Sequence, residues 1–92
     1  MRYGVLLRPA AKRDLRELPR EVAERVLDAL DELALAPRAA DGAPLVGDLQ
    51  GPWKLRVGAY RAAYEIDDAS KCVRVWGVGH RSTFYDRMRR RV

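Results

Sequence analysis

The 92-residue chain reads as an α+β domain, and three patterns predict it. Residues 53–66, WKLRVGAYRAAYEI, alternate apolar and polar side chains on either side of Gly58-Ala59, the signature of a β-hairpin. Residues 9–36 instead repeat apolar positions at three- and four-residue spacing between prolines, as helices do. Residues 71–79, KCVRVWGVG, are apolar on both faces, which suits a strand interior to a sheet. The sum is a βααβββ order, a helical hairpin packed on a small, mainly antiparallel sheet.

Taken in order, Tyr3 to Arg8 is a short strand. Pro9 suits the first helical position, where its missing N–H is not needed. Ala11, Leu15 and Leu18 then form a stripe at i, i+4 and i+7. Pro19 stops that helix and opens a second. There Val22, Val26, Leu30 and Leu33 make the buried stripe, with Leu27 widening it, and Glu21, Glu24, Arg25, Asp28, Asp31 and Glu32 form a solvated face. Pro37 ends the helix, because a residue preceding proline is pushed out of the α region. Residues 37–52 are rich in Gly and Pro, and only "PLVGDL" (Pro44 to Leu49) offers an edge strand. A turn at Asp67-Asp68-Ala69-Ser70 joins the hairpin to the last strand, and Arg81 to Val92 forms a short helix with Arg87, Arg89, Arg90 and Arg91 in solvent.

Composition excludes several classes. The length suits one domain with a modest core. A single cysteine, Cys72, rules out an internal disulfide, agrees with a reducing cytosolic setting and reads as a small core residue. The start, Met1-Arg2-Tyr3-Gly4, is not a signal peptide, and no run approaches the ~20 apolar residues of a membrane span. One histidine, one lone cysteine and no H-x-x-x-H or C-x-x-C spacing leave no metal-ligand set, and no cofactor is implied. The glycines from 42 to 58 are turn residues rather than a phosphate loop.

Charge is divided unevenly. Residues 1–52 hold 8 Lys/Arg against 9 Asp/Glu, a net −1; residues 53–92 hold 10 against 4, a net +6. The second part also holds Trp53, Tyr60, Tyr64, Trp76, Phe84 and Tyr85, with Tyr3 the other aromatic. Cations interleaved with aromatics suit single-stranded nucleic acid, which offers phosphates and flat bases together. A two-residue hairpin loop sharpens this. It puts Leu55 opposite Ala62 and Trp53 opposite Tyr64 on an apolar face, and Arg56 opposite Arg61 with Lys54 beside them on the other. Like charges directly opposite are destabilising by roughly 0.2–1 kcal/mol. Such a cluster suits an anion, or else it is a solvated basic face.

The order R-P-x-A-x-[KR]-D-L-x-x-L (Arg8 to Leu18), P-R at Pro37-Arg38, L-x-G-x-L-x-G-x-[WY]-[KR]-L-R-x-G-x-Y-R-x-x-Y (Leu45 to Tyr64) and V-x-G-V-G-H-R-x-x-x-Y (Val75 to Tyr85) resembles the RelE/ParE toxin superfamily of type II toxin–antitoxin modules. The resemblance implies a microbial-RNase-like toxin fold, neutralised by a cognate antitoxin that wraps the toxin in a hetero-oligomer. The +6 of the second part suits an acidic, partly disordered antitoxin. RelE-like members cut messenger RNA on the ribosome by activating a 2′-OH, without metal, whereas ParE-like members act on DNA gyrase.

Four positions match the RelE-like catalytic motif. Lys54 resembles the lysine proposed as base, pressed toward its neutral form by Arg56 and Arg61. Arg61 resembles the arginine that clamps the phosphate, Arg81 the one assigned to the leaving group, and Tyr85 the tyrosine that stacks on or orients the cut nucleotide. Arg56 and His80 are candidate contacts to RNA phosphate. Other roles stay open: Arg56 and Arg61 as sheet-surface cations facing antitoxin carboxylates, and Tyr85 as a core aromatic. His80, if the strand continues, shares a side with Trp76 and Val78 and reads as packed there, although imidazole also suits acid–base work. The pattern departs from the best-known RelE-like enzymes at Pro52, where they carry a second lysine. The enzyme reading therefore stands beside two others, a ParE-like gyrase inhibitor and a catalytically weak toxin that represses transcription with its antitoxin.

Overall fold

The computed structural model describes residues 2–37, 42–44 and 53–91. The order is β1 (Gly4–Leu7), α1 (Pro9–Glu17), α2 (Arg20–Leu33), β2 (Gly42–Pro44), β3 (Trp53–Val57), β4 (Tyr60–Asp67), β5 (Cys72–His80) and α3 (Arg81–Arg91). The five strands form one sheet in the order β1-β5-β4-β3-β2, antiparallel except for the β1–β5 pair. The α+β class and the helical hairpin on a mainly antiparallel sheet are as expected. One strand was missed: the edge strand is Gly42–Pro44, so only Pro44 of the expected PLVGDL segment belongs to it, and Leu45 to Leu49 lie outside the described residues, as does Pro52.

The hairpin register is the one its alternation requires. Arg56 pairs with Arg61, Leu55 with Ala62 and Trp53 with Tyr64. Gly58 takes a φ of 59°, the left-handed position a two-residue loop demands at its first residue, and one glycine fills without strain. Leu55, Ala62 and Tyr64 face α1 and α2 and close a core with Ala11, Leu15, Val26, Leu30, Val73, Val75 and Val78. β5 lies inside the sheet between β1 and β4, and both of its faces are apolar because α1 and α2 pack on one and α3 on the other.

Details of the helices differ from the pattern. α2 ends at Leu33, three residues short of the position before Pro37, because the Ala34 carbonyl accepts the Tyr3 N–H (2.8 Å) and leaves the helical ladder. Leu27 is 40% exposed and so does not widen the buried stripe. Cys72 is only half-buried, because it opens β5 at the sheet's end rather than lying in the core. Among the described residues no helix is long and apolar enough to cross a membrane.

A β-bulge governs the opposite face. The β4–β5 register shifts between Ala63 and Tyr64, whose partners are Gly77 and Val75, so Trp76 is the extra residue. Beyond it the facing of β5 changes: Val78 joins the α1–α2 core, while Gly77 and Gly79 turn toward α3. α3 packs there through Phe84 and Met88 against Ala63, with Trp76 and Tyr85 at the margin. A Cβ on Gly77 would lie 2.5 Å from Met88 Cε, 3.0 Å from Asp14 Oδ2 and against the Arg91 guanidinium, so α3 can sit this close only over glycine.

Tyr64 is fully buried and its hydroxyl donates to the Pro37 carbonyl (3.3 Å). Burial pushes its phenol up to about 12 from an ordinary 10.0. The folded state therefore holds this proton more tightly than the unfolded chain does. The associated stability is fully present below pH 10.0 and is lost as pH rises toward about 12. Urea midpoints should fall over that alkaline window, and Tyr64→Phe should flatten the fall; an unchanged slope in the variant would assign the effect to other groups.

Candidate functional site

Three of the four catalytic candidates meet at the hairpin face turned toward α3. Lys54 on β3 donates through Nζ to the Tyr85 hydroxyl (3.1 Å) and sits 5.4 Å from its ring centroid. Tyr85 is brought there because it lies one turn into α3, which folds back over the sheet after β5. Its phenol is held below the ordinary tyrosine range, first by the hydrogen bond from Lys54, with burial opposing and Arg61 adding to the pull. Arg61 Nη1 donates to the carbonyls of Gly58 and Tyr60, both at 2.8 Å, so the hairpin tip anchors one end of the guanidinium.

Arg81 approaches the same tip by its backbone. Its N–H donates to the Ala59 carbonyl (2.8 Å), which ties the first residue of α3 to the hairpin loop. Its exposed side chain has no hydrogen-bond or ion-pair partner among the described residues, and neither does that of Arg56. Arg81 and Tyr85 are four residues apart on α3 and therefore project from one face of the helix. Lys54 and Arg61 thus meet at the Tyr85 phenol, with Arg56 on the same hairpin and Arg81 one turn before Tyr85 on α3. Among the described residues no group of three or more His, Cys, Asp or Glu side chains is placed to hold a metal ion.

His80 is not packed beside Trp76. The bulge at Trp76 separates them; His80 is exposed, its ring stands edge-on to Tyr60 (5.4 Å, 86°), and Tyr60 is its partner across the β4–β5 pair. Nδ1 accepts the Ser82 N–H (3.1 Å) and lies 2.9 Å from Ser82 Oγ, so the imidazole caps the start of α3. The tautomer that accepts at Nδ1 carries its proton on Nε2.

The sequence reading passed over Asp14. It is 3% exposed, and its carboxylate accepts from Val78 N–H (2.9 Å), Arg91 Nη1 (2.7 Å), Arg91 Nη2 (3.0 Å) and Arg87 Nη1 (3.2 Å). Arg87 and Arg91 are accordingly ion-paired, not free in solvent as their run of charge suggested. A signal was present, since Asp14 falls at i+3 from Ala11 on the stripe that α1 buries. Elsewhere Arg8 stacks over Trp76 (4.7 Å) and pairs with Glu65 (3.1 Å), while Arg74 pairs with Asp67 (2.6 Å). Those cations are spoken for, whereas the ones at the hairpin and the start of α3 have no carboxylate partner among the described residues.

A small sheet with a helical hairpin on one face and a basic, aromatic-edged surface beside the last helix is an arrangement that known proteins share. The family model of the ParE toxin of the type II toxin–antitoxin system parDE matches residues 5–85. Toxin RelG of Mycobacterium tuberculosis is 36% identical over 88 residues, spanning 95% of this chain and 100% of that one. The toxin–antitoxin complex RelBE2 of Mycobacterium tuberculosis has a chain 34% identical, with a TM-score of 0.79 over 87% of this chain and 99% of that chain. The free Escherichia coli RelE toxin, solved as a double-arginine mutant, is 24% identical with a TM-score of 0.80 over 100% of this chain and 99% of that chain, a likeness of fold. The chain belongs to the RelE/ParE toxin superfamily of type II toxin–antitoxin modules, and it is a toxin of that kind.

Proposed function

We propose that this toxin is an endoribonuclease of RelE type that cuts messenger RNA on the ribosome, in the cytoplasm, without a metal ion. The observation that carries this reading is the Lys54–Tyr85 pair flanked by Arg61, with Arg81 rising from the same tip. Cleavage forms a bond from the ribose 2′-oxygen to the adjacent phosphorus and breaks the bond to the 5′-oxygen. Lys54 serves as base in its neutral amine form, oriented by the Tyr85 hydroxyl, and takes the 2′ proton. The five-donor guanidinium of Arg61 holds the phosphorane oxygens, and the leaving 5′-oxygen, hydrogen-bonded by Arg81, takes a proton from solvent, leaving a 2′,3′-cyclic phosphate and a 5′-hydroxyl. Tyr85 also offers a ring for the cut nucleotide to stack on. Arg56, and His80 through Nε2–H, lie at the margin as contacts to flanking phosphates.

Its partner is a cognate antitoxin, as in the Mycobacterium tuberculosis complex RelBE2. An acidic segment that folds on binding matches the basic face, and its association slows as salt rises. The ParE description of the matched family favours a second reading, binding to gyrase without chemistry. Induction without antitoxin separates the two. The expected result of pulse labelling is an arrest of protein synthesis with cuts inside translated messages. Arrested DNA synthesis with gyrase-linked double-strand breaks, and translation continuing, would establish the second reading instead.

A further inference from the structure

The geometry points to Asp14 as a positioning residue that holds α3, and with it Tyr85 and Arg81, over the hairpin face by latching Arg87 and Arg91 to the open edge of β5. The inference rests on the proposed RNA-cleavage reading for its consequence, but not for its geometry.

β1 pairs with β5 from Gly4–Cys72 as far as Leu7–Val75, and Arg8 N–H donates to the Val75 carbonyl (3.0 Å) before Pro9 turns the chain into α1. From Trp76 onward β5 therefore has no strand on that side, and its backbone groups need other partners. They find them in side chains. Arg91 Nη1 donates to the Trp76 carbonyl (3.2 Å), Asp14 accepts the Val78 N–H (2.9 Å), and Arg87 Nη1 approaches the Val78 carbonyl (3.5 Å). Asp14 joins the three by accepting from both arginines, with Arg91 in a two-pronged pair.

This matters because the apolar hold on α3 is small: Phe84 and Met88 are its two buried residues. The two arginines stand three and seven residues beyond Phe84, at the far end of the helix from Arg81. The near end is tied by the Arg81–Ala59 backbone bond, and Tyr85 lies between the two anchors. Releasing the far anchor lets α3 pivot on the near one, which carries the Tyr85 hydroxyl away from Lys54. A displacement of about 1 Å of a reacting group can cost on the order of 10²-fold in rate.

The test uses Asp14→Asn in the full chain. Asparagine keeps the volume and an acceptor for Val78 N–H, and the side chains of Arg87 and Arg91 are 38% and 26% exposed, so their freed heads can turn to water. Two readouts do not depend on activity. In NMR titrations the Tyr85 phenol should move up toward an ordinary tyrosine as the Lys54 contact loosens. Amide exchange along α3 should also quicken by about tenfold or more, while β3 and β4 stay protected. Arg91→Gln should act in the same direction and carries the test if Asp14→Asn fails to fold. Arg89→Gln, which breaks only an exposed pair with Asp86, should change neither readout. For cleavage of a translated message, Asp14→Asn should lower the rate by on the order of 10²-fold, and Tyr85→Phe should add little in that background. A lower melting temperature with Tyr85 titration and α3 exchange unchanged would overturn the latch and leave Asp14 purely structural. Altered titration and exchange, with neither variant nor parent cutting RNA, would keep the latch and reject RNA cleavage.

Discussion

Arg61→Ala is expected to lower RNA cleavage by about 10²–10³-fold, the scale seen when one preorganised donor to a developing charge is removed. The guanidinium is held before substrate arrives, by two 2.8 Å bonds from Nη1 to the Gly58 and Tyr60 carbonyls, which leaves Nη2 and Nε to serve an anion. Loss of those bonds costs about 0.5–1.5 kcal/mol each, small beside the ~5–15 kcal/mol of a typical domain, so the variant should fold. Arg61→Lys keeps the charge but not the fork and should fall between the two. Mapping 5′ ends on a translated message gives the rate, and a thermal melt gives the fold. Full cleavage by Arg61→Ala would move the phosphate role elsewhere on the face; loss of the melting transition would make Arg61 part of the scaffold.

Phe84→Ala is expected to be the most damaging single truncation, at about 3–5 kcal/mol. Phe84 is fully buried between α3 and the sheet, in a small cluster with Ala63 and Met88 that Trp76 and Tyr85 edge. So few neighbours cannot collapse to fill the space a phenyl ring leaves. Its ring also stands edge-on to Tyr85 (5.2 Å, 81°), a contact worth roughly 0.5–1.5 kcal/mol that the variant loses as well. Urea unfolding should show a lowered midpoint. Leu27→Ala, at an exposed site on α2, should stay within about 0.5 kcal/mol. A Phe84→Ala loss no larger than that of Leu27→Ala would mean that the latch, not apolar packing, carries α3.

The hairpin was legible because two independent signals agree there: strict alternation sets which residues face the core, and a glycine at the first loop position sets the register. The helical hairpin was legible for the same kind of reason, with Pro9 marking its start, Pro19 the turn between its helices and apolar spacing its inner face. Leu27 was misplaced because a stripe read at 100° per residue does not say how wide the opposing surface is, and the sheet covers only the Val22–Leu33 row. β2 was misplaced because its pairing with β3 is backbone bonding at a sheet edge, which leaves almost no mark on side-chain pattern.

The site divides along the same line. Lys54 and Arg61 were readable together because they sit on one hairpin whose period of two places them on one face. The contact of Tyr85 with Lys54, 31 residues away, was not readable, since it depends on how closely α3 lies on the sheet. That closeness follows from Gly77, from the bulge at Trp76 and from a carboxylate 64 residues before Val78. The bulge is also what parts His80 from Trp76, because one unpaired residue reverses the facing of the strand beyond it.

Local order in this chain was therefore settled by residue type and spacing: α+β class, where the helices start, hairpin register, the surplus of cations near the C-terminal end. Which of those cations remain available was settled in three dimensions. Arg8, Arg74, Arg87 and Arg91 are paired with Glu65, Asp67 and Asp14, whereas Lys54, Arg56, Arg61 and Arg81, which have no carboxylate partner among the described residues, gather at the hairpin and the start of α3. The physical reason is range. Side-chain periodicity acts over a turn or a strand, whereas a buried carboxylate selects its partners from whatever distant segments the packed core brings within about 3 Å.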